Sequence, residues 1–133
     1  MSKTLIITEK NSLAKNIASA LKIGYKNGHY ENDKFIMLAC AGHLFGNKDA
    51  NEYDKYKDIK GWANYALPII PDEFEVKGVK GKENLIKNIK YALADKSVTD
   101  VIHWCDGDRE GQLIGDEVLF KFKNKKPVTR AWH

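Results

Sequence analysis

Val101-Ile102-His103-Trp104-Cys105-Asp106-Gly107-Asp108-Arg109-Glu110-Gly111 decides the fold class of this chain. Its first five residues are β-branched, aromatic or otherwise apolar, the composition of a buried strand. Polar residues and glycine then interrupt the run, and a helical pattern follows through Phe120 or Phe122. The stretch therefore reads as strand, tight turn, helix. The lysines Lys121, Lys123, Lys125 and Lys126 crowd the end of that helix, where cations suit the negative pole of its dipole. Pro127 closes it, and Val128 to Trp132 predicts a further strand.

The same alternation appears upstream. Thr4 to Thr8 predicts a short buried strand, broken by Glu9-Lys10-Asn11. Ser12 or Asn11 is the expected cap of a helix carrying Leu13, Ile17, Ala20 and Leu21 at helical spacing, with Gly24 as its stop. Phe35 to Ala41 predicts a second strand, ended by Gly42-His43-Leu44-Phe45-Gly46. The segment from Asn47 to Gly61 is polar without a clear period, and Pro68 and Pro71 mark an irregular stretch. A helix from about Lys82 to Ala94 presents Leu85, Ile86, Ile89 and Leu93 on one face. Strands alternating with helices imply an α/β fold, a mainly parallel sheet of about four strands flanked by helices. With 133 residues, one domain spanning 1–133 is expected.

Composition narrows the function classes. No apolar run approaches the roughly 18 residues of a membrane helix, so no membrane partner is expected. Cys40 and Cys105 both sit in apolar runs, which suits buried thiols in a reducing, cytoplasmic compartment rather than a disulfide framework. Lys and Arg number 22 against 18 Asp and Glu, a net charge of +4 that is compatible with a polyanionic partner without identifying one. Only Arg109 and Arg130 are arginines, the residue type that recognises phosphate in a planar, bidentate way.

Asp106, Asp108 and Glu110 place carboxylates at alternate positions. Packed so closely they repel and raise one another's pKa unless a cation joins them. A hard divalent ion resolves that repulsion, and Mg²⁺ typically takes one or two carboxylates and shares the rest of its shell with water and phosphate. The following helix start offers free amides to an anion. In parallel sheets ligands bind beyond the carboxyl ends of strands, where both Glu9 and Asp106 fall. Three other readings weigh against this one. The acids can simply cap a helix and favour its dipole. With Gly111 and Glu117 they nearly fit a calcium loop, although a helix rather than a strand should lead into it. Cys40, His43, His103 and Cys105 could in principle bind zinc, but their spacing is not a standard ligand pattern.

A strand ending in Glu9, then a later strand ending in Asp106-x-Asp108 with Gly111 beyond, resembles the Toprim domain of topoisomerases, primases, certain nucleases and recombination-repair proteins. Finer matches point to type IA topoisomerases of the topoisomerase III branch. Leu5 to Ala14 is similar to their opening segment, with Asn11 where proline is usual. Gly42-His43-Leu44, Trp62 followed by Leu67-Pro68-Ile69-Ile70-Pro71, Asp106 to Ile114, and Val128 to Trp132 resemble further segments of that branch, in the same order.

The resemblance implies an ATP-independent isomerase that breaks and rejoins single DNA strands through a tyrosine outside this chain. It implies Glu9 as general acid/base, Lys10 as a cation on the scissile phosphate, and Asp106, Asp108 and Glu110 as holders of Mg²⁺. Arg109 is expected to orient these carboxylates or a phosphate, and His43 and Arg130 to face DNA. The implied partners are single-stranded DNA and the remaining domains of the same topoisomerase chain, and the implied location is cytoplasmic and nucleoid-associated. A self-standing Toprim nuclease or primase-like protein, and a non-catalytic metal- or DNA-binding module, stay open as alternatives.

Overall fold

The computed structural model describes residues 2–49, 52–53 and 76–132. The Trp62 to Pro71 similarity and most of the polar 47–61 segment lie outside the described residues.

Strand β1 (Lys3–Thr8) occupies the middle of the sheet. Its residues Leu5, Ile6, Ile7 and Thr8 are fully buried, because helices cover both faces. The period-two alternation of a strand sends Leu5 and Ile7 into one core cluster and Ile6 into the other. Helix α1 (Asn11–Leu21) packs Ala14, Ile17 and Ala18 on the Ile6 side. Helices α2 (Glu83–Ala94) and α3 (Arg109–Lys121) supply Ile89, Leu93, Ile114 and Val118 to the other side. Each such buried Leu or Ile contributes about 1.5–3 kcal/mol through removal from water.

Parallel pairing joins β4 (Phe35–Ala39), β1, β7 (Val98–Trp104) and β8 (Val128–Arg130), in that spatial order. These are the four strands expected from the sequence. The sheet has six among the described residues, because β2 (Gly24–Lys26) and β3 (His29–Glu31) add antiparallel strands beside β4. Their connection is Asn27-Gly28, with φ of 49° and 90°. Two consecutive positive φ angles define the two-residue hairpin turn that Asn-Gly favours, since its twist matches that of the flanking strands. A separate two-stranded sheet pairs β5 (Phe45–Asn47) with β6 (Val76–Gly78).

The helix ends differ from expectation. Lys10, not Asn11 or Ser12, is the first cap of α1, and no side chain closes it. That helix stops at Lys22, which adopts the left-handed conformation and donates its amide back to Ser19 O, two residues before Gly24. Strand β7 leads into the acidic turn, so the lead-in helix of a calcium loop is replaced by a strand.

Candidate functional site

The parallel register sets Thr8 opposite Trp104, so β1 and β7 end side by side. The residues that follow, Glu9 and Asp106, thereby become neighbours although they lie far apart in sequence. Asp106 acts on the Glu9 carboxyl both through side-chain hydrogen bonding and through its charge, and both raise its pKa. Glu9 is buried, and its Oε2 has no hydrogen-bond partner. Burial is the main cause that pushes the Glu9 carboxyl up to about 7, with the bond to Asp106 and the charges of Asp106 and Asp108 adding to it. Lys10 pulls in the opposite direction. Lys10 Nζ also lies 3.4 Å from Asp106 Oδ2, with much of its side chain in solvent.

Asp108 caps α3: its Oδ1 accepts from the Gly111 amide at 2.6 Å. The turn is tight because α3 comes down onto it. A Cβ at Gly111 would sit 2.2 Å from Asp106 O, so only glycine allows this approach. One turn further on, Gly115 leaves room for the buried His103 ring, whose Nε2 lies 3.1 Å from Gln112 O.

Glu110 reaches the loop after β4. There the two ring nitrogens of His43 meet two α3 carboxylates, with Nε2 3.3 Å from Glu110 Oε1 and Nδ1 3.2 Å from Glu117 Oε2. In sequence Glu117 stands out only as a calcium-loop position. Its seven-residue spacing from Glu110, two helical turns, is the signal that could have placed both on one face of α3.

Arg109 is exposed at the first position of α3 and, among the described residues, makes no hydrogen bond or ion pair. Its guanidinium is left to solvent at the start of α3. Arg130 is placed differently. Its Nε donates to Gln112 Oε1 at 2.7 Å, one terminal nitrogen to the carbonyls of His103, Cys105 and Ala131, and the other to Asp106 O at 2.7 Å. The guanidinium also stacks 4.7 Å from the Trp132 ring. These bonds commit Arg130 to the protein and tie β8 to the backbone that enters the acidic turn.

The donors at this corner are carboxylate oxygens, the chemistry a hard cation such as Mg²⁺ prefers. The orphaned, buried Glu9 Oε2 beside Asp106 adds an acceptor without a partner. Among the described residues no three His, Cys, Asp or Glu side chains already converge on one point. A bound Mg²⁺ would therefore complete its shell with water and phosphate oxygens, which is its usual habit. Cys40 and Cys105 are buried, and burial pushes both thiols up to about 12.

Residues 4–132 match the family model of the Toprim domain. The chain belongs to the Toprim family. This Toprim chain is 39% identical over 131 residues to DNA topoisomerase 3 of Staphylococcus aureus (strain USA300), which covers 98% of this chain and 18% of that protein. DNA topoisomerase 3 of Staphylococcus haemolyticus is 39% identical over 132 residues, with the same coverage. The chain thus spans under a fifth of the length of these relatives. A solved structure of full-length topoisomerase I from Thermotoga maritima aligns with a TM-score of 0.58 and 22% identity, over 95% of this chain and 17% of that one. That likeness bears out the α/β Toprim fold. No helix among the described residues is long and apolar enough to cross a membrane.

Proposed function

We propose that this chain is the Mg²⁺-binding Toprim part of a type IA DNA topoisomerase of the topoisomerase III branch, acting on single-stranded DNA together with further domains of a longer protein. The observation that carries the reading is the Glu9–Asp106 carboxyl pair at the adjoining ends of β1 and β7. Identity to topoisomerase 3 over nearly the whole chain supports the assignment.

Breaking a phosphodiester with a tyrosine requires a proton for the leaving 3′-oxygen, and rejoining requires its removal. A carboxyl with a pKa near 7 exchanges protons readily at neutral pH, which suits Glu9 to both directions. Burial of Glu9 keeps bulk water from competing for that proton. Lys10 and Arg109, both exposed beside the acids, supply positive charge to phosphate oxygens. Asp106 and Asp108, with Glu110 in support, would hold Mg²⁺, which when bound adds charge stabilisation at the phosphate. His43 lies on the same corner, against Glu110, and can line the strand's path. Arg130 is assigned to holding the turn through its carbonyl bonds rather than to gripping DNA. Work on DNA places the longer protein in the cytoplasm with the nucleoid.

The test is a chimera in which this chain replaces the matching segment of one of its longer relatives. It should relax supercoiled DNA with Mg²⁺, and Glu9→Gln should abolish both cleavage and rejoining. The isolated chain should bind Mg²⁺ in a calorimeter but leave single-stranded DNA intact. Metal-dependent cutting by the isolated chain, lost in Asp106→Asn, would replace this reading with a nuclease.

A further inference from the structure

Strand β4 ends in a turn built from an unfavourable backbone. Ala41 has φ of 52° and Gly42 has φ of 97°, so two successive residues occupy the left-handed region, one of them with a Cβ. This conformation turns the carbonyls of residues 40, 41 and 43 toward one point. Three inward carbonyl oxygens repel one another and need a donor or a cation between them.

That point holds the ammonium of Lys82, the residue that caps α2. Lys82 Nζ donates to Ala41 O at 2.6 Å and His43 O at 3.0 Å, with Cys40 O at 3.5 Å. An ammonium has three N–H donors, and here three carbonyls receive them. A Cβ built on Gly42 would lie 3.4 Å from the same nitrogen, so the turn is closed around it. On its other side the turn is pinned to β1, with the amide of Gly42 bonded to Glu9 O and that of Cys40 to Thr8 O. The next residue along is His43, whose ring lies between Glu110 and Glu117.

We infer that Lys82 is a positioning residue. Its half-buried ammonium holds the Ala41–Gly42 turn and so sets His43 against α3, which fixes where Glu110 points. The bonds of the Lys82 ammonium go to the backbone carbonyls of Cys40, Ala41 and His43, so its influence passes through the backbone of residues 40–43. The link to the metal-holding acids rests on the function proposed above; the link from Lys82 to His43 does not.

The experiment is NMR on the 133-residue chain. In the unaltered protein the Lys82 ammonium should exchange slowly with water and show cross-relaxation to Gly42, unlike the solvent-exposed lysines. An ammonium exchanging as fast as those of the exposed lysines overturns the inference, whether or not any variant folds. Lys82→Met keeps the stem and removes the charge, and it should abolish cross-relaxation between the His43 ring and Glu117. The same contacts persisting in folded Lys82→Met also overturn it. Lys82→Ala should recover the His43 signature in methylammonium, which has N–H donors, and not in tetramethylammonium, which has none; recovery in both, or in neither with the chain folded, counts against a donor role. Mg²⁺ affinity measured in parallel should fall by roughly three- to tenfold in Lys82→Met, below the loss typical of a direct outer-shell partner. If the unaltered chain binds no Mg²⁺ while the His43 results hold, the proposed function fails and the positioning role stands.

Discussion

Lys10 Nζ stands 3.4 Å from Asp106 Oδ2, a salt bridge that ties the loop after β1 to the loop after β7. The same ammonium competes with any cation that Asp106 would hold. Its side chain is largely in solvent, so the pair contributes little to stability, about 0–1 kcal/mol. Lys10→Gln should leave the urea midpoint nearly unchanged and tighten Mg²⁺ binding by up to about fivefold, the factor equivalent to that energy. Its affinity for single-stranded DNA should fall over the same titration. Calorimetry and fluorescence anisotropy on the two proteins check both halves.

Glu9 contributes a pH dependence of definite sign. Its folded value, about 7, lies above the ordinary 4.5, so the folded chain holds this proton more tightly than the unfolded one. The group's contribution is most favourable below the unfolded value and declines as pH rises through the folded value. In metal-free protein, Glu9→Gln should therefore be neutral near pH 4 and stabilising by about 1–3 kcal/mol near pH 8. Urea melts across that range test this, and a variant equally stable to the parent at both ends refutes it.

Glu31 runs the other way. Its bond from Lys3 Nζ at 2.6 Å, and then its contact with His29, lower its pKa. The stability it contributes is present above the unfolded value of 4.5 and is lost as pH falls through the depressed folded value. Glu31→Gln should cost up to about 1 kcal/mol at neutral pH, the range for a pair not fully buried, and nothing in strong acid.

Gly111→Ala puts a methyl group where Asp106 O already is. Because the obstacle is backbone, α3 must move off the turn, at a cost of about 1–3 kcal/mol or more. Gly115→Ala meets the buried His103 ring in the same way, 2.0 Å from its Nε2. Only Gly111→Ala should also disturb Mg²⁺ binding, since it alone displaces the Asp106–Asp108 backbone. Paired stability and calorimetric titrations separate the two.

Arg130→Lys retains the charge and loses the geometry. A single ammonium cannot reach Gln112 Oε1 and the carbonyls of Cys105 and Asp106 together. Amide hydrogen exchange between residues 104 and 111 should accelerate, while protection in β1 and β4 stays as it was.

The apolar runs of β1 and β4 are legible from sequence, because burial on both faces demands that pattern. β1, β4, β7 and β8 all overlap the strands the sequence predicts, although β7 starts three residues earlier, at Val98, and β4 and β8 end two residues early. The β2–β3 hairpin escaped because its strands are three residues each and β2 is exposed throughout, leaving Asn27-Gly28 as the only local signal. The α1 start differs for a related reason: Asn11 and Ser12 are good caps by type, yet they lie inside the helix behind Lys10. At the site, the acidic turn was readable because its residues are contiguous. The placement of Glu117 against His43, 74 residues away, and of Lys82 against the turn after β4 is set by packing, which no local pattern encodes.

The β1–β7 register also has a consequence for how the domain is made. Thr8 pairs with Trp104, and β1 adjoins β4 on its other side, so Glu9 has no Asp106 beside it until synthesis has passed residue 106. Pairing over such a sequence distance carries the largest loop-closure cost in the fold and is intrinsically slow. A nascent chain with only β1, α1 and β4 emerged from the ribosome has Glu9 in place and nothing opposite it. The Glu9–Asp106 corner is therefore born after the rest of the β1–α1–β4 half is already available to fold.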